Sequence, residues 1–396
     1  MKVCFWTTTL QADILSLAYQ IEQSGRHESI IVTPDPDPFF SEPLAQAMPL
    51  HAPVLRRKAF GTNARVRRFR PDVIVADNHL PPRGLSERLA YFWHGLGWRV
   101  RGPDGLAQFH KKASILVGDV REPNPNFMAQ CYGPADHKSR IEDWGIAPQN
   151  CRILGMAYSD LILNPPYSKE NLAPFYSIDI LNRPTVLLSL TWAFGRTLQR
   201  FGNDIETIDR LFSSVEARGG NVLFCLHDRF RYDKKYLVAL HAVAARHEHV
   251  QIKHKDEHPD NLADLIVADV MISNYSSFIN FFYPTERPSI HIFPVIETED
   301  GYQMHQYRRG KVRPWNVSHN DPFWMIPPED TGGLVVHDEP ELMAALDRAL
   351  AEPDCCQQTS RSWIDRYVEG MDKTTCARIE AALEALVAGE PPASAT

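Results

Sequence analysis

Short apolar runs alternate along the chain with longer stretches whose apolar residues recur every third or fourth position. Lys2–Thr8 reads as a first strand. In Leu10–Gln23 the residues Ile14, Leu15, Leu17, Ala18 and Ile21 share one helical face, and Ser24-Gly25 ends the helix. Glu28–Thr33 is the next strand, closed by Pro34 and a proline-rich run to Pro38. Val73–Ala76 follows Arg70-Pro71-Asp72 as a short buried strand, and Arg88–Trp93 leads into His94-Gly95-Leu96-Gly97. Ala113–Gly118 and Cys151–Leu154 are two further strand candidates.

Asn164-Pro165-Pro166 marks a linker, and the cycle then restarts. Thr185–Leu190 is a continuous apolar strand. Asp204–Arg218 is an amphipathic helix with Ile205, Ile208, Leu211, Phe212 and Val215 on one face, ended by Gly219-Gly220. Val222–Leu226, Val250–Lys253, Asp269–Ser273, Ser289–Phe293 and Gly333–Val336 read as strands. Asn261–Val267, a segment from Ser277, and Glu339–Ala351 read as helices, and Ser362–Ala388 as one or two more. Strands alternating with helices predict parallel sheets covered on both faces. The expected organisation is two Rossmann-like α/β domains, 1–170 and 171–361, followed by C-terminal helices and a tail, 362–396.

A chain of 396 residues exceeds one ordinary core, and 44% apolar with 23% charged residues is a globular composition. A net charge of −7 argues against a dedicated nucleic-acid binder. The charge is uneven. Between His51 and Lys112 stand thirteen Arg or Lys against four acids. Such a stretch either faces an anionic partner, a phosphate polymer or a membrane surface, or is a solvated basic surface balanced elsewhere. The seven cysteines are scattered with no CxxC pair, which fits reduced thiols in a cytoplasmic protein. No stretch approaches the length of a membrane-spanning helix, so membrane contact is expected to be peripheral.

The segment Asn274-Tyr275-Ser276-Ser277 joins an apolar strand to an apolar helix. Ligands bind beyond the carboxyl ends of strands in open α/β sheets, and helix starts offer unsatisfied N–H groups to phosphate. The two serines either add donors there or simply cap the helix. His94 lies beside two glycines and has the chemistry of a general base, or else bonds its own loop. His227 closes a strand, where it can donate to a donor phosphate; Arg229 and Arg231 nearby read better as solvated charges. His247, His249, His254 and His258 lack a third ligand or an HExxH pattern, so no metal is expected. GxGxxG, GxxxxGK[ST] and GxSxG are all missing.

The string from Asn261 to Ser277, followed by Arg287-Pro288, resembles the CDP-glycerol glycerophosphotransferase family, enzymes of teichoic acid and capsule polymer synthesis. Trp93-His94-Gly95, Thr191-Trp192, Tyr307-Arg308-Arg309-Gly310 and Thr331-Gly332-Gly333 match further family segments in order. Four features depart from the pattern: Ser273 for Thr, Asn274 for Asp, Asp228 after His227, and Leu96-Gly97-Trp98 after His94-Gly95. The resemblance implies a GT-B fold, two Rossmann-like domains facing a central cleft with C-terminal helices crossing back to the first. It implies a nucleotide-activated donor held by Thr191, Trp192, Asn274, Ser276 and Ser277, with His94 and His227 catalytic. Gly95, Arg99 and Arg101 would stand on the acceptor side. The acceptor would be an anionic polymer or a lipid-linked molecule, at the inner face of the cell membrane, and no cofactor is implied. Two rivals remain at this point: a GT-B glycosyltransferase using a nucleotide sugar, and a non-catalytic polymer-binding homologue. An epimerase on the same scaffold is a third.

Overall fold

The computed structural model describes the chain except for residues 42, 94, 100–102, 192–197, 199–200, 228–232, 255–260, 294–300, 309–310, 319–323 and 391–396. The chain forms two compact units, one of Met1–Pro166 with Asp365–Thr396, the other of Tyr167–Ile364.

The first unit contains β1 (Lys2–Trp6), β2 (Glu28–Thr33), β3 (Val54–Arg56), β4 (Val73–Asp77), β5 (Leu89–Phe92), β6 (Phe127–Cys131) and β7 (Cys151–Ile153). They form one parallel sheet in the order β3-β2-β1-β4-β5-β6-β7. Its helices are α1 (Ala12–Gln23), α2 (Asp37–Phe40), α3 (Pro43–Ala47), α4 (Thr62–Phe69), α5 (Pro103–Val117), α6 (Pro134–Glu142) and α7 (Tyr158–Leu163). The expected strand at Ala113–Gly118 is instead the last turns of α5. The apolar run there resembled a strand, but the fully buried residues Phe109 and Ala113 stand four apart, one helical turn.

The second unit contains α8 (Lys169–Leu172), β8 (Thr185–Ser189), α9 (Asp204–Ala217), β9 (Asn221–Leu226), α10 (Lys234–Ala244), β10 (Val250–His254), α11 (Asn261–Val267), β11 (Val270–Ser273), α12 (Ser277–Asn280), β12 (Ser289–Ile292), β13 (Gly301–Arg308), β14 (Lys311–Ser318), β15 (Leu334–Val336) and α13 (Glu339–Ala351). Six strands form a parallel sheet in the order β10-β9-β8-β11-β12-β15, while β13 and β14 pair as an antiparallel hairpin. The unit boundary falls inside α14 (Gln357–Tyr367). The final helix, α15 (Thr375–Ala388), packs on α1 and α7 of the first unit. The Asp160 carboxylate of α7 caps it, accepting the Thr375 N–H at 3.2 Å and the Cys376 N–H at 2.8 Å.

The second core follows from the spacing along α9. Ile208, Leu211, Phe212 and Val215 are fully buried in one cluster with Val186, Leu188, Val222 and Phe224 of the sheet. Each such side chain contributes about 1.5–3 kcal/mol on leaving water. Asn203 starts the helix by accepting the Ile205 N–H at 3.1 Å, and Asp204 and Glu206 favour its positive end. Gly333 leads into β15 where a Cβ would stand 2.4 Å from the Ser289 carbonyl oxygen, so β12 and β15 can approach only with glycine there.

Candidate active site

The strand order of each sheet reverses beside the unit's first strand, between β1 and β4 and again between β8 and β11. Open α/β sheets bind ligands outside the carboxyl ends of strands at such switch points. Both are bridged in the same way. Ser189 pairs with Ser273, and two residues past Ser189 the Thr191 N–H donates to Asn274 Oδ1 at 2.7 Å. Trp6 pairs with Ala76, and two residues past Trp6 the Thr8 N–H donates to Asp77 Oδ1 at 2.6 Å. The offsets are identical. Each unit uses a side-chain oxygen at the end of one strand to hold the loop leaving its neighbour.

The two bridges differ in charge. Asn274 is fully buried and neutral at every pH. An Asp would supply the same oxygen to Thr191 but would put a negative charge beside any phosphate. The departure from the family pattern at Asn274 thus preserves the bridge. Asp77 is also buried, and desolvation pushes its carboxyl up to about 6, against the pull of its bonds to Thr8 and Thr7. Folded chains therefore hold a proton here, between about pH 4 and 6, that unfolded chains have released. The group's contribution to stability falls as pH rises through that window. Asp77→Asn keeps an oxygen for Thr8 and removes the charge. Relative to the parent it is expected to gain up to about 3 kcal/mol between pH 4 and 7. Urea unfolding of both proteins across that range measures the gain, and a stability difference independent of pH would refute it.

In the second unit, Tyr275 adopts φ +59°, a left-handed conformation that costs a non-glycine residue about 1–3 kcal/mol. Burial of its ring beside His291 and Phe293, and a 2.5 Å bond from its hydroxyl to the Pro328 carbonyl, offset that cost. The turn delivers Ser276 to the N-cap of α12, where its Oγ accepts the Phe278 N–H at 3.3 Å. The cap reading of this serine is therefore correct, yet a hydroxyl that accepts still has a proton to donate. Ser276 and Ser277 are both half-buried. His227 immediately follows β9. Cys225 pairs with Ser189, so His227 stands at the same offset as Thr191 on the adjacent strand, and it is half-buried. The second sheet thus brings Thr191, His227, Asn274, Ser276 and Ser277 to one edge. Trp192, Asp228, Arg229 and Arg231 lie outside the described residues.

In the first unit, His94 and Arg101 lie outside the described residues. Gly95 has φ +130°, a backbone conformation closed to side chains with a Cβ. Burial lowers Arg99 to about 10. Trp93 is held by its neighbours: its ring meets Trp144 edge-on at 5.4 Å, and the Arg140 guanidinium lies 5.9 Å from it. Its carbonyl oxygen is 3.4 Å from the Tyr132 hydroxyl, which donates to the buried Asp13.

Sequence reasoning missed Thr8 and Asp77. The available signal was an acid ending the apolar run Val73–Ala76. Arg287, matched as part of a family motif, serves the scaffold. Its guanidinium donates to the carbonyls of Leu265 at 2.5 Å, Ile266 at 3.1 Å and Ala268, closing the end of α11. His247 bridges Glu216 at 2.7 Å and Asp209 at 2.8 Å, an ion-paired structural role.

No family model matches the chain, and no curated protein matches it in sequence. Solved structures do match. The wall teichoic acid polymerase TagF, in a variant soaked with CDPG, aligns over 98% of this chain and 89% of its own, with TM-score 0.68 and 13% identity. UDP-GlcNAc 2-epimerase from Neisseria meningitidis, bound to UDP-GlcNAc, aligns over 97% and 100%, with TM-score 0.57 and 10% identity. A glycosyltransferase from Rickettsia africae ESF-5 aligns over 98% of both chains, with TM-score 0.51 and 10% identity. The chain accordingly has the two-domain α/β GT-B fold shared by these transferases and epimerases.

Proposed function

We propose that this chain is a transferase moving glycerol phosphate, or a related group, from a CDP-linked donor to a hydroxyl of a surface polymer or lipid-linked acceptor. The observation that carries this reading is the bridged switch point of the second sheet, which gathers the hydroxyls of Thr191, Ser276 and Ser277 and the His227 imidazole at one edge. The likeness to TagF over nearly the whole chain supports the same reading. In this mechanism Ser276, Ser277 and the Thr191 loop hold the donor diphosphate, with Trp192 beside them. His94 takes the proton from the acceptor hydroxyl. That oxygen bonds to the donor phosphorus in line, and the bond to cytidine monophosphate breaks. His227 donates to the departing phosphate and stabilises its charge. Positioning and charge neutralisation supply most of the acceleration in such transfers. Gly95, Arg99 and Arg101 belong to the acceptor side. Among the described residues no helix is long and apolar enough to cross a membrane, so the encounter with a membrane-held acceptor is proposed as peripheral.

A second reading, transfer from a nucleotide sugar, is favoured by the glycosyltransferase among the structural neighbours. Nucleotide release assayed with CDP-glycerol against UDP-, GDP- and CMP-sugars separates the two. Release from CDP-glycerol alone is expected. Release only from a sugar donor would overturn the glycerophosphate assignment, and epimer formation without acceptor would place the protein with the epimerases.

A further inference from the structure

The first switch point opens onto a pocket that the proposed donor chemistry does not use. Its volume is about 380 Å³, and it lies wholly within the first unit. Trp6, the last residue of β1, lines it, as do Arg57 just past β3, Arg83 in the loop after β4, and Lys112 on α5. Ile115, Leu116 and the loop segment 80–82 supply an apolar wall, and Ile115 is half-exposed there. No carboxylate lines the pocket. Among the described residues no ion pair within 4.0 Å joins Arg57, Arg83 or Lys112 to an acid, although Arg57 exerts a weak pull on Asp77. Three cations from three separate elements thus line one crevice beside the ends of β1 and β4, where this fold class binds ligands, together with an apolar wall that disfavours a free inorganic ion.

We infer that this pocket binds an amphiphilic organic phosphate, with its phosphate between Arg57, Arg83 and Lys112 and the adjoining hydrocarbon along Ile115 and Leu116. Arginine suits the phosphate oxygens because its planar fork donates two parallel hydrogen bonds. The volume holds a phosphate group and several carbons beyond it. His79 also lines the pocket, and its Nδ1 lies 2.8 Å from Thr8 Oγ1, which donates to Asp77. The pocket is thereby tied to the bridge that holds the β1 loop. Binding at this pocket is independent of which donor the second unit takes.

Calorimetric titration of the full chain, with no nucleotide present, tests it using hexyl phosphate, inorganic phosphate and hexanol. Hexyl phosphate is expected to bind saturably, at least tenfold tighter than inorganic phosphate, and hexanol not at all. Arg83→Gln and Lys112→Gln alter exposed side chains, so folding is expected to be unchanged by circular dichroism. Each should weaken hexyl phosphate at least fivefold and flatten its salt dependence. Equal affinity for hexyl and inorganic phosphate, no saturable binding, or affinities unmoved by both substitutions would overturn the pocket. So would binding only to vesicles carrying phosphatidic acid, which would make this basic face a membrane patch.

Discussion

His94→Ala should lower the maximal transfer rate by about 10²- to 10⁴-fold, the usual range for a lost general base, while the KM for the donor stays near that of the parent. The asymmetry follows from the division of labour proposed above. In that proposal Thr191, Ser276, Ser277 and His227 grip the donor at the second switch point, and His94 is not among them. The acceptor hydroxyl, by contrast, is a poor nucleophile until its proton is taken. A general base must be unprotonated to take that proton, so the parent rate should rise with pH until the imidazole is neutral. The variant should lose that limb and regain rate only as hydroxide becomes abundant. Steady-state kinetics with saturating acceptor from pH 5.5 to 9 give both readouts. A variant with unaltered rate and pH profile would remove His94 from the chemistry. One with a raised donor KM and an unchanged maximal rate would move it to binding.

The scaffold was largely legible because its strands and helices announce themselves by period. Glu28–Thr33, Asn261–Val267 and Glu339–Ala351 have the bounds read from the sequence. Elsewhere the burial pattern is not one that hydrophobicity records. The buried face of α6 consists of Asp136, Ser139 and Arg140, so no apolar stripe marked it. Phe127–Cys131 forms β6 without a single β-branched residue. The hairpin of β13 and β14 was seen only as a short motif ending at Gly310, because its pairing is local while the expected sheets were parallel. The candidate site was legible as a set of residue types, but not as a mechanism. Asn274 looked like a change of chemistry, and its role in bridging two strands depends on a register that sequence spacing alone does not supply. Likewise the repeat of that bridge at Thr8 and Asp77 shares no sequence motif with it, since only one oxygen acceptor and one N–H are required.

Asp136→Ala should cost the fold about 3–5 kcal/mol, the loss typical when one member of a buried ion pair is removed. Asp136 and Arg140 are 5% and 2% exposed, and Arg140 Nε lies 3.3 Å from Asp136 Oδ1. Asp136 also accepts the Tyr132 N–H at 3.1 Å. Taking away the carboxylate leaves a guanidinium that cannot shed its charge, buried against aromatic faces and without a counter-ion. Those faces are Trp144 at 4.1 Å, Trp93 at 5.9 Å and Tyr91 at 6.0 Å. Cation–π attraction of about 2 kcal/mol in a desolvated setting offsets only part of the loss. Urea unfolding measures the cost, and near-ultraviolet circular dichroism should report loosened tryptophans. Replacing both partners, Asp136→Leu with Arg140→Met, should recover most of the stability, because the uncompensated charge goes with them. A single variant that costs under about 1 kcal/mol would show the pair to be solvated and dispensable. Transfer activity then tests the link to function. Trp93 immediately precedes His94, so the single variant should also lose rate at temperatures where it remains folded. The double variant should regain less of that rate than of its stability, since an uncharged thioether in place of the Arg140 guanidinium cannot restore the cation beside the Trp93 ring.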